Sequence, residues 1–205
     1  MPICNTALVI ADISGYTAFI RFNQATLDHA AGIIGELLEV VADGASHPLR
    51  LNKLEGDAAF LCAELTGDEA QGMRDIARQA WGLFHPFREK VLAVAENRSF
   101  CPCAACQSVR GLRLKVVLHK GLVDIRRIRG FEELTGEPVI ATHRLLKNGI
   151  VDREYLAITG DAHALCGDIA AARVESRLEH YDDLGTIGLR VFYPAVTGTG
   201  AATPA

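Results

Sequence analysis

Two aspartates and three cysteines stand out from an otherwise ordinary chain of 205 residues. Asp12 falls at the end of an apolar run, in ADISGYTAF, and Asp57 falls at a tight turn, in NKLEGDAAF. Each position lets a carboxylate leave the core and meet another element. Two convergent carboxylates can hold a hard cation such as Mg²⁺ through oxygen, with positions left for phosphate oxygens. The spacing leaves a plainer reading open: Asp12 caps a turn, and Asp57 is ordinary hairpin chemistry. CPCAAC places Cys101, Cys103 and Cys106 within six residues. Three soft ligands on one loop suit zinc, which takes four thiolate or imidazole ligands in a tetrahedron. The motif lacks a fourth, for which Cys62, His85, His119 or a partner chain are the candidates. Reduced free thiols are the equal alternative, with a redox role behind both. Cys4, Cys62 and Cys166 sit singly in apolar surroundings and read as packing residues.

The elements that must position these groups follow from periodicity. Residues 7–13 form an apolar, β-branched run, a buried strand stopped by Ser14-Gly15. A helix over 27–42 carries Leu27, Ala30, Ile34, Leu37, Leu38 and Val41 at helical spacing, with Thr26 to cap it. Residues 47–55 and 57–64 read as two strands hinged at Gly56. Residues 68–95 read as one long helix, kinked or broken at Pro86. Beyond the cysteine loop, 112–118 and 121–128 read as paired strands. A helix opens at Glu137-Pro138 and runs to 146. Then come a short strand at 155–159, an Ala-rich helix over 169–179 and a hairpin-like segment over 184–193. Residues 197–205 are an unpatterned tail that reads as disordered. The order β-α-β-β-α-β-β-α-β-α-β suits one α+β unit over 1–196, with helices covering a main sheet.

Composition narrows the classes. Hydrophobic residues make up 49% and charged residues 22% of the chain, which suits a soluble globular domain and excludes a disordered or collagen-like one. Its apolar runs fall far short of the roughly 20 residues a spanning helix needs. A net charge of −4 with no Lys/Arg block argues against nucleic acid and membrane surfaces as partners. MPICNTALVI lacks the charged region of a signal peptide, so the expectation is a cytoplasmic protein with reduced cysteines.

ADISGYTAF followed by KLEGDAAF resembles the two signature segments of class III nucleotidyl cyclases, the adenylate and guanylate cyclase catalytic domains. In that family an Asp in D-I-x-G-[FY]-[ST] ends the first strand, and a second Asp follows in K-x-x-G-D. LRLKVVLHKGLVD resembles the central strand with its His-x-Gly ending, at His119 and Gly121. GEPVIATHRL resembles the helix-opening G-x-x-V-N-x-A-x-R segment, and EHYDDLGTIGLRVFY the closing hairpin. The likeness spans 5–195. It implies a ferredoxin-like-derived α+β fold with a central, mostly antiparallel sheet and helices packed on it. The Cys-x-Cys-x₂-Cys loop is similar to that of a bacterial branch of cyclase-like proteins.

The resemblance also implies a site. Asp12 and Asp57, with the backbone carbonyl of Ile13, would bind two Mg²⁺ or Mn²⁺ ions. Lys53 and Glu133 would contact the purine, and Arg144 would stabilise the transition state. Catalysis would then be attack of the ribose 3′-hydroxyl on the α-phosphorus of a nucleoside triphosphate, ATP first among them, at a homodimer interface. Three positions depart from the pattern. The family's ribose-positioning Asn falls on Ile140, its triphosphate Lys on Leu184, and its second purine Asp on Glu133. A polar contact is lost at the first two. The alternative implied is a catalytically inactive cyclase-homology domain, a regulatory module for a ligand or partner, linked to zinc or thiols.

Overall fold

The computed structural model describes residues 3–195. In chain order its strands are β1 (Ile3–Ser14), β2 (Arg50–Glu55), β3 (Ala58–Glu64), β4 (Arg113–Ile128), β5 (Phe131–Thr135), β6 (Tyr155–Thr159), β7 (Arg173–Tyr181) and β8 (Gly185–Tyr193). Its helices are α1 (Tyr16–Phe22), α2 (Leu27–Asp43), α3 (Glu69–Gly82), α4 (Phe84–Asn97), α5 (Ala104–Ser108), α6 (Glu137–Arg144) and α7 (Gly160–Cys166). The strands form one sheet in the order β2-β3-β1-β4-β6-β8-β7, with β5 added to the far half of β4. The β4–β6 pair is parallel, and the other pairs are antiparallel. The expected α+β architecture with a mostly antiparallel sheet is what forms.

β1 is central, so both of its faces are buried, and its sequence is a continuous apolar run rather than an alternating one. Ala7, Val9, Ala11 and Ile13 enter the larger core with α2, α3 and α4. Leu8 and Ile10 enter a smaller core on the other face. Period two then puts Asp12 on the smaller-core side. Directly opposite it in the β1–β4 register is Lys115. α2 buries Ala30, Ile33, Ile34, Leu37, Leu38 and Val41, so Ile33 joins the stripe its spacing predicts and Leu27, 50% exposed at the start of the helix, leaves it.

Several elements differ from the sequence reading. The expected long helix is two helices that meet at Leu83, and Pro86 lies in the first turn of α4, where no helical N–H is lost. The expected strand pair over 112–128 is one continuous strand, whose hairpin partner is β5. Residues 173–181 form a strand, not a helix. β7 is a charged edge strand turned back on β8 through Gly185, which has a positive φ of 72°. The Ala content of 169–172 hid the alternation that follows. The tail read over 197–205 lies outside the described residues. Among the described residues no helix is long and apolar enough to cross a membrane.

Candidate functional site

A cleft of about 420 Å³ opens where β1 ends, and Asp12, Gly15, Asp57, Lys115, Arg153 and Tyr155 are among the residues that line it. Asp57 reaches it from the β2–β3 turn, whose Gly56 has a φ of 66°. The Ile13 backbone N–H donates to the Asp57 carbonyl at 3.1 Å and fixes that turn against β1. The structure thus brings Asp12, Ile13 and Asp57 together, as the motif reading requires. It also supplies a cation of its own. Lys115 Nζ lies 3.0 Å from Asp12 Oδ2 and donates to the Leu146 carbonyl at 3.2 Å. The Asp57 carboxyl is pushed up to about 6, by burial first and then by the Asp12 charge.

Arg153 closes the cleft wall. Its Nη2 donates to the carbonyls of Ser14 and Gly111, at 3.1 Å each. Gly15, at φ 95°, lies under this guanidinium, and a Cβ there would come within 2.0 Å of Nη2. The positive φ is what calls for glycine, since the flexible end of Arg153 can shift from a side chain there. Tyr155 receives a hydrogen bond from Asn148 Nδ2 at 2.8 Å, and burial pushes its phenol up to about 12.

The other sequence-read residues lie elsewhere. Lys53 Nζ and Glu133 Oε2 form an ion pair at 2.8 Å, which joins β2 to β5. Arg144, at the end of α6, shares Asp183 Oδ2 through Nε at 3.1 Å and Nη2 at 2.8 Å. Ile140 stands 53% exposed on α6. Leu184 lies in the β7–β8 turn beside His119 and Thr159. His119 donates to or accepts from Thr159 Oγ1 at 2.8 Å, and burial brings its imidazole down to about 4.

The cysteine loop forms the second constellation. Cys103 starts α5, and its Sγ accepts from the Cys106 backbone N–H at 3.5 Å. That contact, with His29 and Cys101 beside it, brings the Cys103 thiol down to about 6. Burial, then the neighbouring thiols, pushes Cys106 up to about 11. Cys62, His85 and His119 do not join the cluster. The fourth member is His29, in the first turn of α2, and the ligand atoms of His29, Cys101, Cys103 and Cys106 all lie within 4.8 Å of one another.

This corrects the cofactor expectation. The metal-ligating set that gathers among the described residues is three thiols and an imidazole, the soft donors zinc takes, and not paired carboxylates for Mg²⁺ or Mn²⁺. Asp12, which would have anchored the hard ions, is engaged by an ammonium. Sequence reading missed His29 because it lies 72 to 77 residues from the cysteines and carries no spacing signal. It missed Lys115 and Arg153 as well. Lys115 had a signal, a lone charge inside LKVV, but its partner is set by strand register.

Residues 34–155 match the family described as "Protein of unknown function (DUF2652)". The chain is 32% identical over 172 residues to "Uncharacterized protein Rv2561/Rv2562" of Mycobacterium tuberculosis (strain ATCC 25618 / H37Rv), across 83% of this chain and 78% of that one. Among solved structures it is similar to a bacterial light-regulated adenylyl cyclase, with TM-score 0.65 and 12% identity over 93% of this chain. It spans about half of that longer protein, 52%. It is also similar to the adenylyl cyclase CyaB from P. aeruginosa, with TM-score 0.63 and 13% identity over 97% of this chain and 98% of that one. At these identities the likeness establishes the class III cyclase fold.

Proposed function

Because the chain belongs to the family described as "Protein of unknown function (DUF2652)" and folds as a class III cyclase domain, we propose that it is a cyclase-homology domain that does not cyclise nucleotides and serves as a regulatory binding module. The exposed face of α6 carries this reading. Cyclisation needs groups that orient the ribose and meet the charge developing on phosphorus. At the matching positions α6 offers Ile140, which cannot hydrogen-bond, and Arg144, already shared with Asp183. Leu184 supplies no charge for a triphosphate, and Asp12 is neutralised by Lys115.

The partner that fits is a second copy of the chain. The smaller-core face of the sheet is covered by α6 and the segment after it, and Val139 and Ile140 of α6 with Leu146 of that segment line an open groove of about 630 Å³. The β4–β5 hairpin exposes Ile128 and Phe131 nearby in sequence. Apolar groups exposed in this way are what an isologous dimer buries.

A second reading is favoured by the Lys53–Glu133 pair. A lysine and a carboxylate 2.8 Å apart present a donor and an acceptor side by side, which can read a purine edge. On that reading the module binds a nucleotide, ATP first, and releases it unchanged. Titration calorimetry with ATP, on the parent and on Lys53→Ala, tests it. Heat of binding from the parent and its loss from the variant support nucleotide sensing. Equal heats, or none, leave the partner-binding module. Recovery of a cyclic nucleotide from the cell overturns both readings.

A further inference from the structure

The thiol–imidazole cluster is closed on itself and takes no part in the cleft. His29 Nδ1 lies 3.3 Å from Cys103 Sγ, 3.7 Å from Cys101 Sγ and 3.8 Å from Cys106 Sγ. A neutral Nδ1 either donates one hydrogen bond or accepts one, so hydrogen bonding accounts for one of these three contacts and not for all. The cysteines are free thiols, so cross-linking does not hold them together either. A divalent cation at the centre satisfies the four atoms at once. A tetrahedron with Zn–S of about 2.3 Å and Zn–N of about 2.05 Å requires N···S separations of about 3.5 Å. The three observed separations bracket that value.

We infer that His29, Cys101, Cys103 and Cys106 bind one zinc ion, which clamps the 101–111 segment to the first turn of α2. Four protein ligands leave no open position, so the ion is structural and does not activate water. The surroundings are those of a zinc thiolate site. Cys103 Sγ already accepts the Cys106 backbone N–H. The distal nitrogen of His29, Nε2, faces the Asp28 carboxylate at 4.0 Å, on the side where an orienting acceptor belongs. The clamp also has a mechanical reach. Ser108, on the clamped segment, lies 3.3 Å from Asn23 Nδ2 at the end of α1. Gly111, at its end, is held by Arg153, which holds Ser14 in the cleft wall with the same nitrogen. Zinc at this site therefore fixes one wall of the cleft from outside it. The inference stands apart from the non-cyclising reading, since an active cyclase could carry the same clamp.

The test is metal analysis of the full chain purified without chelator, followed by cobalt exchange. About one zinc per chain is expected, and Co²⁺ in its place should show the intense thiolate-to-metal absorption of a tetrahedral sulfur-rich site. X-ray absorption on the zinc form should count three sulfurs and one nitrogen. His29→Ala and Cys103→Ser should each lose most of the zinc, while Cys166→Ser, outside the cluster, keeps it. Should either ligand variant fail to fold, the absorption spectra of the parent decide alone. A folded parent that contains no zinc and takes none up on dialysis overturns the inference. So does a spectrum without thiolate ligation, or zinc retained in folded Cys103→Ser.

Discussion

Asp57 and His119 are held off their ordinary ionisation in opposite directions, and their pH signatures separate. Burial and the Asp12 charge raise the Asp57 carboxyl to about 6, so the folded state holds that proton more firmly than the unfolded one. Its contribution is therefore full below about 4 and lost as pH rises through about 6. Asp57→Asn should raise the melting temperature at pH 8 by about 2 °C, a figure that allows for the solvent screening of a half-exposed group, and leave it unchanged at pH 4. A gain independent of pH would contradict the electrostatic cause. His119 is the reverse. Burial lowers it to about 4, so stability is full above its unfolded value near 6.5 and is lost as pH falls through about 4. Urea titrations at pH 7 and pH 4.5 should show His119→Gln losing less stability between them than the parent, by on the order of 1–2 kcal/mol. The residues of the cleft and of the cluster that the sequence singles out lie inside short motifs: Asp12, Asp57 and the three cysteines. Lys115, Arg153 and His29 do not, because strand register and helix packing create their proximity.

At the scale of elements, the His-x-Gly ending of the central strand has a packing cause. α6 starts with Pro138 pressed onto β4 at Gly121, where a Cβ would meet Pro138 Cγ at 2.3 Å and Cβ at 2.9 Å. Gly121→Ala should destabilise the chain by about 1–3 kcal/mol, and a second change, Pro138→Ala, should recover a good part of that. Additive losses in equilibrium unfolding would show that the two do not touch in solution. Most elements followed from periodicity, α2 and β1 above all, because burial on one stripe or on both faces leaves a plain pattern. Those that did not had competing signals. β4 runs through Gly121 although glycine weakens a strand, since the close approach of Pro138 leaves no room for a side chain. β7 alternates charge with small and apolar residues on a sheet edge, where burial gives no clear stripe.

The whole molecule is a cyclase fold in which the gathered thiol and imidazole groups lie on a loop and the first turn of α2, apart from the Asp12–Asp57 cleft. The larger core is closed by α2, α3 and α4, and the smaller is left with α6 and its exposed Ile140. Light scattering should therefore give twice the chain mass, and Ile140→Asp should shift it toward one chain without loss of helix content by circular dichroism. An unchanged mass would move the interface elsewhere. The fold and the cleft were legible as a resemblance because their motifs are local. The departures at Ile140 and Leu184 were legible, while the pairing of Asp12 with Lys115 and of Arg144 with Asp183 appears only on folding. The most direct test of the proposed loss of cyclisation is to incubate the folded protein with each of the four common nucleoside triphosphates and Mn²⁺ and resolve the products by mass. No cyclic nucleotide above a protein-free blank is expected, and a cyclic product from any of the four would contradict the non-cyclising reading.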